Sequence, residues 1–302
     1  MGYLQENVFA GLQIQRMNRI KKENGIPSGF PSLDKITGGW QDPGLIIVAS
    51  RPNAGKSTFA RDIAWHAAID YGLTVRSTPV GFFSLEHSQD KIRRYFTLSH
   101  SGISSEENMF GEFEQAQTIM IAHVMDVAGL SIDDTPGLTI TDFCSKAKRL
   151  VKSGRAKMIV IDYLHLMRDP KEFWRSREDE LKHILKELQT TAKELGIPII
   201  VLFQMSKNAY FEQFDIDKSL GYIDNYTPYA DTVIFLHRPF VDFPDNVIAN
   251  GENPNKVRVI VVKNISGEVS ETSLLLNTDR ASFYTRIPCR RVLPTPLPDS
   301  PR

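Results

Sequence analysis

The sequence has only two cysteines, Cys144 and Cys289, far apart in a chain of 302 residues. That excludes a disulfide scaffold and any paired-cysteine zinc spacing, and makes a reduced, intracellular, cytoplasmic setting the default. No apolar run approaches the length of a membrane span. The opening residues, MGYLQENVFAGLQIQRMNRIKKENG, contain no compact apolar stretch followed by a cleavage site, so they are not a secretory signal. Glu6 stands where myristoylation requires Ser or Thr. An excess of one charge is missing too: 36 Lys and Arg balance 36 Asp and Glu. Proteins that wrap nucleic acid nonspecifically are often more basic, so composition gives no support to a basic channel, although it forbids none. There is no internal repeat.

What is present is a chain long enough for one large domain with small attachments. Residues 3 to 22 read as an isolated helix, with Leu4, Val8, Phe9, Leu12 and Met17 roughly on one face and a basic end. Such a helix packs either on its own domain or on a neighbouring subunit, and the pattern does not separate the two. Asn24 to Gly29 breaks it. From residue 45 to 203 short apolar strands alternate with helices. The strands are Leu45–Ser50, Val80–Leu85, Lys157–Asp162 and Ile197–Phe203. The helices run over Lys56–Tyr71, Ser88–Ser99, Phe113–Val127, Ile140–Ser153 and Arg177–Leu195. Strands without polar alternation, separated by helices, predict an α/β fold whose mostly parallel central sheet is covered by helices on both faces. After 230 the runs DTVIFLH, KVRVIVVK, VSETSLLLN and ASFYTR predict consecutive strands with short turns, antiparallel hairpins that finish the sheet. Residues 204–229 read as a long polar and aromatic loop. The tail, 289–302, is proline-rich and reads as disordered or extended.

The stretch SRPNAGKST, Ser50 to Thr58, follows the apolar run LIIVA. It resembles a phosphate-binding loop, whose pattern is Gly, four residues, then Gly-Lys-Ser/Thr, except that Ser50 takes the place of the first glycine. The loop joins a buried strand to a helix, where backbone amides and a helix N-terminus hold phosphate oxygens. Arg51, Pro52, Asn53, Ala54, Gly55, Lys56, Ser57 and Thr58 form the candidate nucleotide site. Lys56 would meet the β- and γ-phosphates, and Ser57 would place its hydroxyl on Mg²⁺. Three other strands end in polar groups at the same sheet edge. Asp162 is where an acid would support Mg²⁺. Glu86 could orient the attacking water. Gln204 could sense a γ-phosphate. Either carboxylate alone could simply cap a loop, but three convergent ends favour chemistry.

These residues carry a family resemblance. From about Gly25 to Tyr284 the chain resembles the C-terminal, RecA-like motor domain of the DnaB-type replicative helicases. The matching runs are GIPSGFPSLDKITGGW, LIIVASRPNAGKS, FFSLEHSQDKIRR, IDDTPGLTITDFCSKAKRL, MIVIDYLHLM, ELKHILKELQTTAKELGIPIIVLFQMSK and YADTVIFLHRP. The family too often lacks the first loop glycine. The resemblance implies a RecA-like P-loop core over 25–288, with residues 1–24 a linker helix that docks on the next subunit. It implies ATP and Mg²⁺ as cofactors, Lys56 and Ser57 on phosphate and metal, Glu86 as catalytic base or water-polarising acid, Asp162 on Mg²⁺, and Gln204 coupling the γ-phosphate to DNA-facing loops. It implies a hexameric ring around single-stranded DNA, translocating 5′→3′, with each ATP completed by cations from a neighbouring subunit. A primase or a helicase loader is an expected partner, and a membrane is not. The family's N-terminal collar is not in this sequence, which suggests a minimal phage helicase or a specialised paralogue, acting in a bacterial or phage-infected cytoplasm.

The sequence departs from the family at three places. In VIVVKNISGEV, Lys263 is retained but Ile265 stands where an arginine finger is expected. An arginine finger is worth roughly three to five orders of magnitude in rate. Either Lys263 acts alone, or Arg258 or Arg286 substitutes, or hydrolysis is weak. In the DNA-facing loop, with Lys207, Gly221, Tyr222 and Asn225 as candidates, Gly221 replaces an arginine. Backbone amides could still hold phosphates there, while Tyr222 or Tyr226 either stacks on bases or packs the loop onto the domain. Lastly, Phe203 precedes Gln204 where the family has a serine, and His165 replaces a glutamine; His165 reads as a supporting hydrogen-bonding group. The leading expectation is an ATP-driven DNA helicase. The alternative is a helicase-derived nucleotide-binding protein that loads, blocks or regulates a true helicase. A recombination or signalling ATPase is a weaker third.

Overall fold

The computed structural model describes residues 25–41, 43–70, 78–100, 112–170, 173–205, 221, 223–265 and 267–284. The helix expected at 3–22, residues 206–220 of the expected loop, Tyr222, Arg286 and the tail at 289–302 lie outside the described residues, and Lys207 with them. Within the described residues runs a nine-stranded sheet in the order β3-β2-β4-β5-β1-β6-β7-β8-β9. The strands are β1 (Gly44–Ser50), β2 (Val80–Ser84), β3 (Leu130–Asp133), β4 (Met158–Asp162), β5 (Pro198–Gln204), β6 (Thr232–His237), β7 (Lys256–Asn264), β8 (Ser270–Asn277) and β9 (Ser282–Tyr284). β1 to β6 pair in parallel, and β7, β8 and β9 are antiparallel.

The continuous apolar runs are explained by burial on both faces. In β1, Ile46 and Val48 point to one core and Leu45, Ile47 and Ala49 to the other. The first core is closed by α1 (Pro31–Thr37), α2 (Lys56–Trp65), α3 (Gln89–His100) and α4 (Glu112–Ala128), the second by α5 (Ile140–Lys152) and α6 (Arg177–Leu195). On α6 the buried Leu181, Ile184, Leu185, Leu188 and Ala192 fall at helical spacing. Truncating one such leucine costs about 2–5 kcal/mol. Both α5 and α6 begin at hydroxyl caps: Asp142 N–H donates to Thr139 and Asp179 N–H donates to Ser176, each at 3.1 Å. α6 ends at Gly196, whose φ of 65° is the left-handed conformation that glycine tolerates.

The structure amends the sequence pattern in three ways. It adds α1 and the edge strand β3, which are short and only partly apolar and so leave little periodicity to read. The helix expected to run to Tyr71 is α-helical to Trp65 and continues as a π-helical turn, His66–Asp70. The C-terminal strands are not all joined by short turns: β6 still belongs to the parallel set, and two short helices, α7 (Pro239–Asp242) and α8 (Pro244–Ala249), separate it from β7. Proline at the start of each helix sets its first turn, a local signal that the strand pattern masks.

Candidate nucleotide site

β1 lies between β5 and β6, both later in the chain, so helical connections leave on opposite sides and open a crevice beyond its C-terminal end. The loop Ser50–Gly55 fills that crevice. Ser50 is fully buried; its hydroxyl donates to the Arg51 carbonyl at 2.9 Å, and its own carbonyl accepts Met205 N–H at 2.9 Å. A side chain is therefore accommodated where the motif has glycine. Gly55 is different. Its φ is 93°, and a Cβ there would come within 2.9 Å of the Phe283 ring. Both the conformation and the space demand glycine. α2 then starts at Lys56, presenting its N-terminus to the loop.

The structure brings the expected residues together at this edge. Ser57 Oγ donates to Asp162 Oδ1 at 3.1 Å. Asp162 is 1% exposed, at the end of β4. β2 and β4 run in register, Ser84 opposite Asp162, and Leu85 N–H donates to the Asp162 carbonyl at 2.8 Å. That pairing carries the exposed Glu86 to the mouth of the crevice. Gln204, opposite Ser50, closes the row from β5. The Lys56 ammonium, largely buried, sits 4.8 Å from the centre of the Tyr163 ring. Burial lowers the Lys56 pKa, against the pull of the Asp162 and Glu86 carboxylates. Burial likewise raises the Asp162 carboxyl, against Lys56, the Ser57 hydroxyl and Arg61. The site thus holds opposite charges at a desolvation cost, an arrangement that an incoming polyanion and its cation would relieve.

Some groups here carry no obvious signature in the sequence. Arg61, one turn after Ser57, is buried, donates to Thr58 Oγ1 at 3.1 Å and lies 4.3 Å over the Tyr95 ring. The one available signal is its i, i+4 spacing from Ser57 on the same helix face. Arg51 forms an ion pair with Asp242 of α7, and His237 Nε2 lies 3.3 Å from the same carboxylate. Asp62 accepts the Phe283 N–H, tying α2 to β9. Neither long-range contact leaves a mark in local sequence.

Other expected residues lie elsewhere. Because β7 runs antiparallel to β6, Lys263 pairs with Val233 near the N-terminal end of β6, the opposite edge from the phosphate loop. Its ammonium donates to the Thr227 carbonyl at 2.9 Å. Ile265, two residues on, is 67% exposed. Arg258, considered as a substitute cation, is engaged by Glu271 at 2.6 Å. Gly221 has open space where a Cβ would be. Asn225 donates to Glu178 Oε1 of α6 at 2.7 Å. Tyr226 is largely buried, its ring 4.9 Å from that of Phe203, so it packs the loop onto the domain instead of offering a face to a base. His165 packs edge-on against Phe203 at 4.5 Å, and its Nδ1 is buried without a hydrogen-bond partner. Burial, with the Arg177 and Lys56 charges, pushes its pKa down to about 4.

A mostly parallel sheet sandwiched by helices, with a glycine-lysine-serine loop, a strand-end aspartate and a displaced acid at one crevice, is a RecA-like α/β fold. The chain belongs to the DnaB-like helicase C terminal domain family, whose model matches residues 25–285. It is 33% identical over 266 residues to the replicative DNA helicase DnaB of Geobacillus stearothermophilus. That match takes in 85% of this chain and 56% of the relative, so the chain spans little more than half the relative's length. Among solved structures, an isolated ATPase domain superposes with a TM-score of 0.76 at 23% identity, covering 91% of this chain and 97% of that one. A DnaB-like replicative helicase described with its interactions with primase gives 0.74 at 24% identity, covering 91% and 65%.

Proposed function

We propose that this chain is the ATP-hydrolysing motor of a replicative DNA helicase, working as a hexameric ring that translocates 5′→3′ on single-stranded DNA. The observation that carries the reading is the buried Lys56–Ser57–Asp162 constellation, with Glu86 at its mouth, inside a family match that spans most of the chain. The residues fit a nucleotide with Mg²⁺. Among the described residues there is no cluster of three His, Cys, Asp or Glu side chains able to hold a metal. The fit rests on Ser57 Oγ and Asp162 Oδ1, 3.1 Å apart, oxygen donors of the kind Mg²⁺ takes. Bound Mg²⁺ would neutralise charge on the β- and γ-phosphates.

The chain's own groups then divide the work. Backbone N–H groups of the loop and the start of α2 bind phosphate oxygens. Lys56 neutralises charge at the β/γ bridge. Ser57 and Asp162, already hydrogen-bonded to one another, would hold the metal. Glu86 holds the attacking water by its proton, and Gln204 reads the γ-phosphate. Lys263 lies at the wrong edge for its own loop, so it would serve the nucleotide of an adjacent copy. A primase or a helicase loader is the expected protein partner. The relatives' names, all replicative helicases, weigh against the loader or regulator reading.

The test is the ATP hydrolysis rate with and without single-stranded DNA, alongside the oligomeric state by sedimentation. Strong stimulation by DNA in a ring-sized particle supports a motor. Tight ATP binding with negligible, DNA-insensitive turnover would replace it with the regulatory reading.

A further inference from the structure

Lysine is a flexible point charge with three donors, and its position is set by whatever accepts its hydrogen bonds. For Lys263 the acceptor is the backbone carbonyl of Thr227. That carbonyl belongs to a tight turn: Tyr226 N–H donates to Ile223 O at 2.7 Å, Tyr229 N–H to Tyr226 O at 3.1 Å, and Thr227 Oγ1 to Asp224 O at 3.1 Å. Several side chains anchor the turn to the domain. Asn225 reaches Glu178 on α6, from the exposed side. Ile223 is one buried anchor, with no exposed surface, and Tyr226 is another. The Tyr226 ring packs on Phe203, and Phe203 also packs against His165. Phe203 is the neighbour of Gln204 on β5. A continuous packed path therefore runs from the nucleotide end of β5, through one tyrosine, to the cation at the opposite edge of the sheet.

We propose that Tyr226 is a positioning residue for Lys263: seated on Phe203, it fixes the turn whose carbonyl holds the lysine ammonium where an adjacent copy's nucleotide can meet it. The inference rests on the proposed function, in which Lys263 acts on a neighbouring site. It gives the chain a physical link between its own nucleotide edge and the edge it presents to the next subunit. Two discrete arrangements of a packed aromatic contact can carry coupling of this kind.

The experiment measures kcat and KM for ATP, with saturating single-stranded DNA, in the full chain and four variants: Lys263→Ala, Tyr226→Leu, Tyr226→Phe and the double variant Lys263→Ala/Tyr226→Leu. A misaligned catalytic group costs rate, not ground-state affinity. Tyr226→Leu should lower kcat about tenfold with KM within about twofold. Tyr226→Phe, which keeps the ring, should retain the parent's kcat. In the Lys263→Ala background, Tyr226→Leu should cause no further loss, because both changes remove one function. An unchanged kcat in Tyr226→Leu, or losses that multiply in the double variant, would overturn the inference while leaving the motor reading intact. An unchanged kcat in Lys263→Ala would sink the assignment of Lys263 to the neighbour's site, and this inference with it. Should Tyr226→Leu fail to fold, Tyr226→Met takes its place under the same criteria.

Discussion

The two edges of the parallel sheet are built on different physical terms. At the C-terminal edge most candidate groups are buried and hydrogen-bonded close by, with Glu86 exposed at the mouth: Asp162 to Ser57, Ser50 to its own loop, Arg61 to Thr58. At the opposite edge Lys263 reaches one backbone carbonyl and Ile265 stands in solvent. Under the proposed function, the first edge is a pre-organised site in which one chain supplies the phosphate cradle, the metal-orienting pair and the acid. On the same reading, the second is half a site, whose cation serves the nucleotide of an adjacent copy. Under the proposed function, a single copy is therefore catalytically incomplete, and turnover should depend on assembly.

The contrast fails most visibly if the buried edge can be emptied without effect. Lys56→Ala removes the charge that meets the β- and γ-phosphates, and ATP turnover should fall by about 10³-fold or more; unaltered hydrolysis would refute the site. Glu86→Gln should lower turnover by about 10²-fold while ATP binding persists, since the amide keeps the shape but cannot take a proton. Equal turnover by wild type and this variant would remove Glu86 from the mechanism. Ile265→Arg probes the exposed edge. It restores the cation that the resemblance expects there, and under the proposed function hydrolysis should rise about tenfold. That is less than the roughly 10³ to 10⁵ of a fully supported finger, because no partner yet orients the new side chain. No increase would mean that Lys263 suffices or that the cation comes from elsewhere.

A separate expected effect, outside turnover, concerns stability. His165 has its pKa depressed from an ordinary value near 6.5 to about 4. The folded state therefore binds fewer protons than the unfolded chain between those values, and its stability falls as pH drops from about 6.5 toward 4. His165→Gln should flatten that fall by on the order of 2–3 kcal/mol. Denaturant unfolding of both proteins at pH 7 and pH 4.5 measures it; parallel pH dependence would show that the imidazole is not the group responsible.

Much of the buried edge is legible in sequence because its signals are local. A strand, a loop and a helix that follow one another put Lys56 and Ser57 in place, and apolar runs that end in an acid put Asp162 and Glu86 at the same level. Helix bounds are legible where caps are strong, as at Ser176 and Gly196 on α6. Short elements are not: β3 has one fully buried residue, and α7 and α8 interrupt what reads as hairpin sequence. By its residue type Tyr226 suits stacking on a base as well as packing on the domain, and its burial against Phe203 decides between them.

Local pattern is enough to propose the nucleotide site: the alternation of strands and helices, the phosphate-loop motif, and apolar runs that end in acids. Folding in three dimensions settles the rest. Ser50 is tolerated and Gly55 is required, Asp242 braces the loop through Arg51, and Lys263 lies across the sheet from its own chain's phosphate loop. Those facts depend on strand register and on contacts between residues distant in sequence, such as Asp62 with Phe283 and Lys263 with Thr227, and no local pattern encodes them.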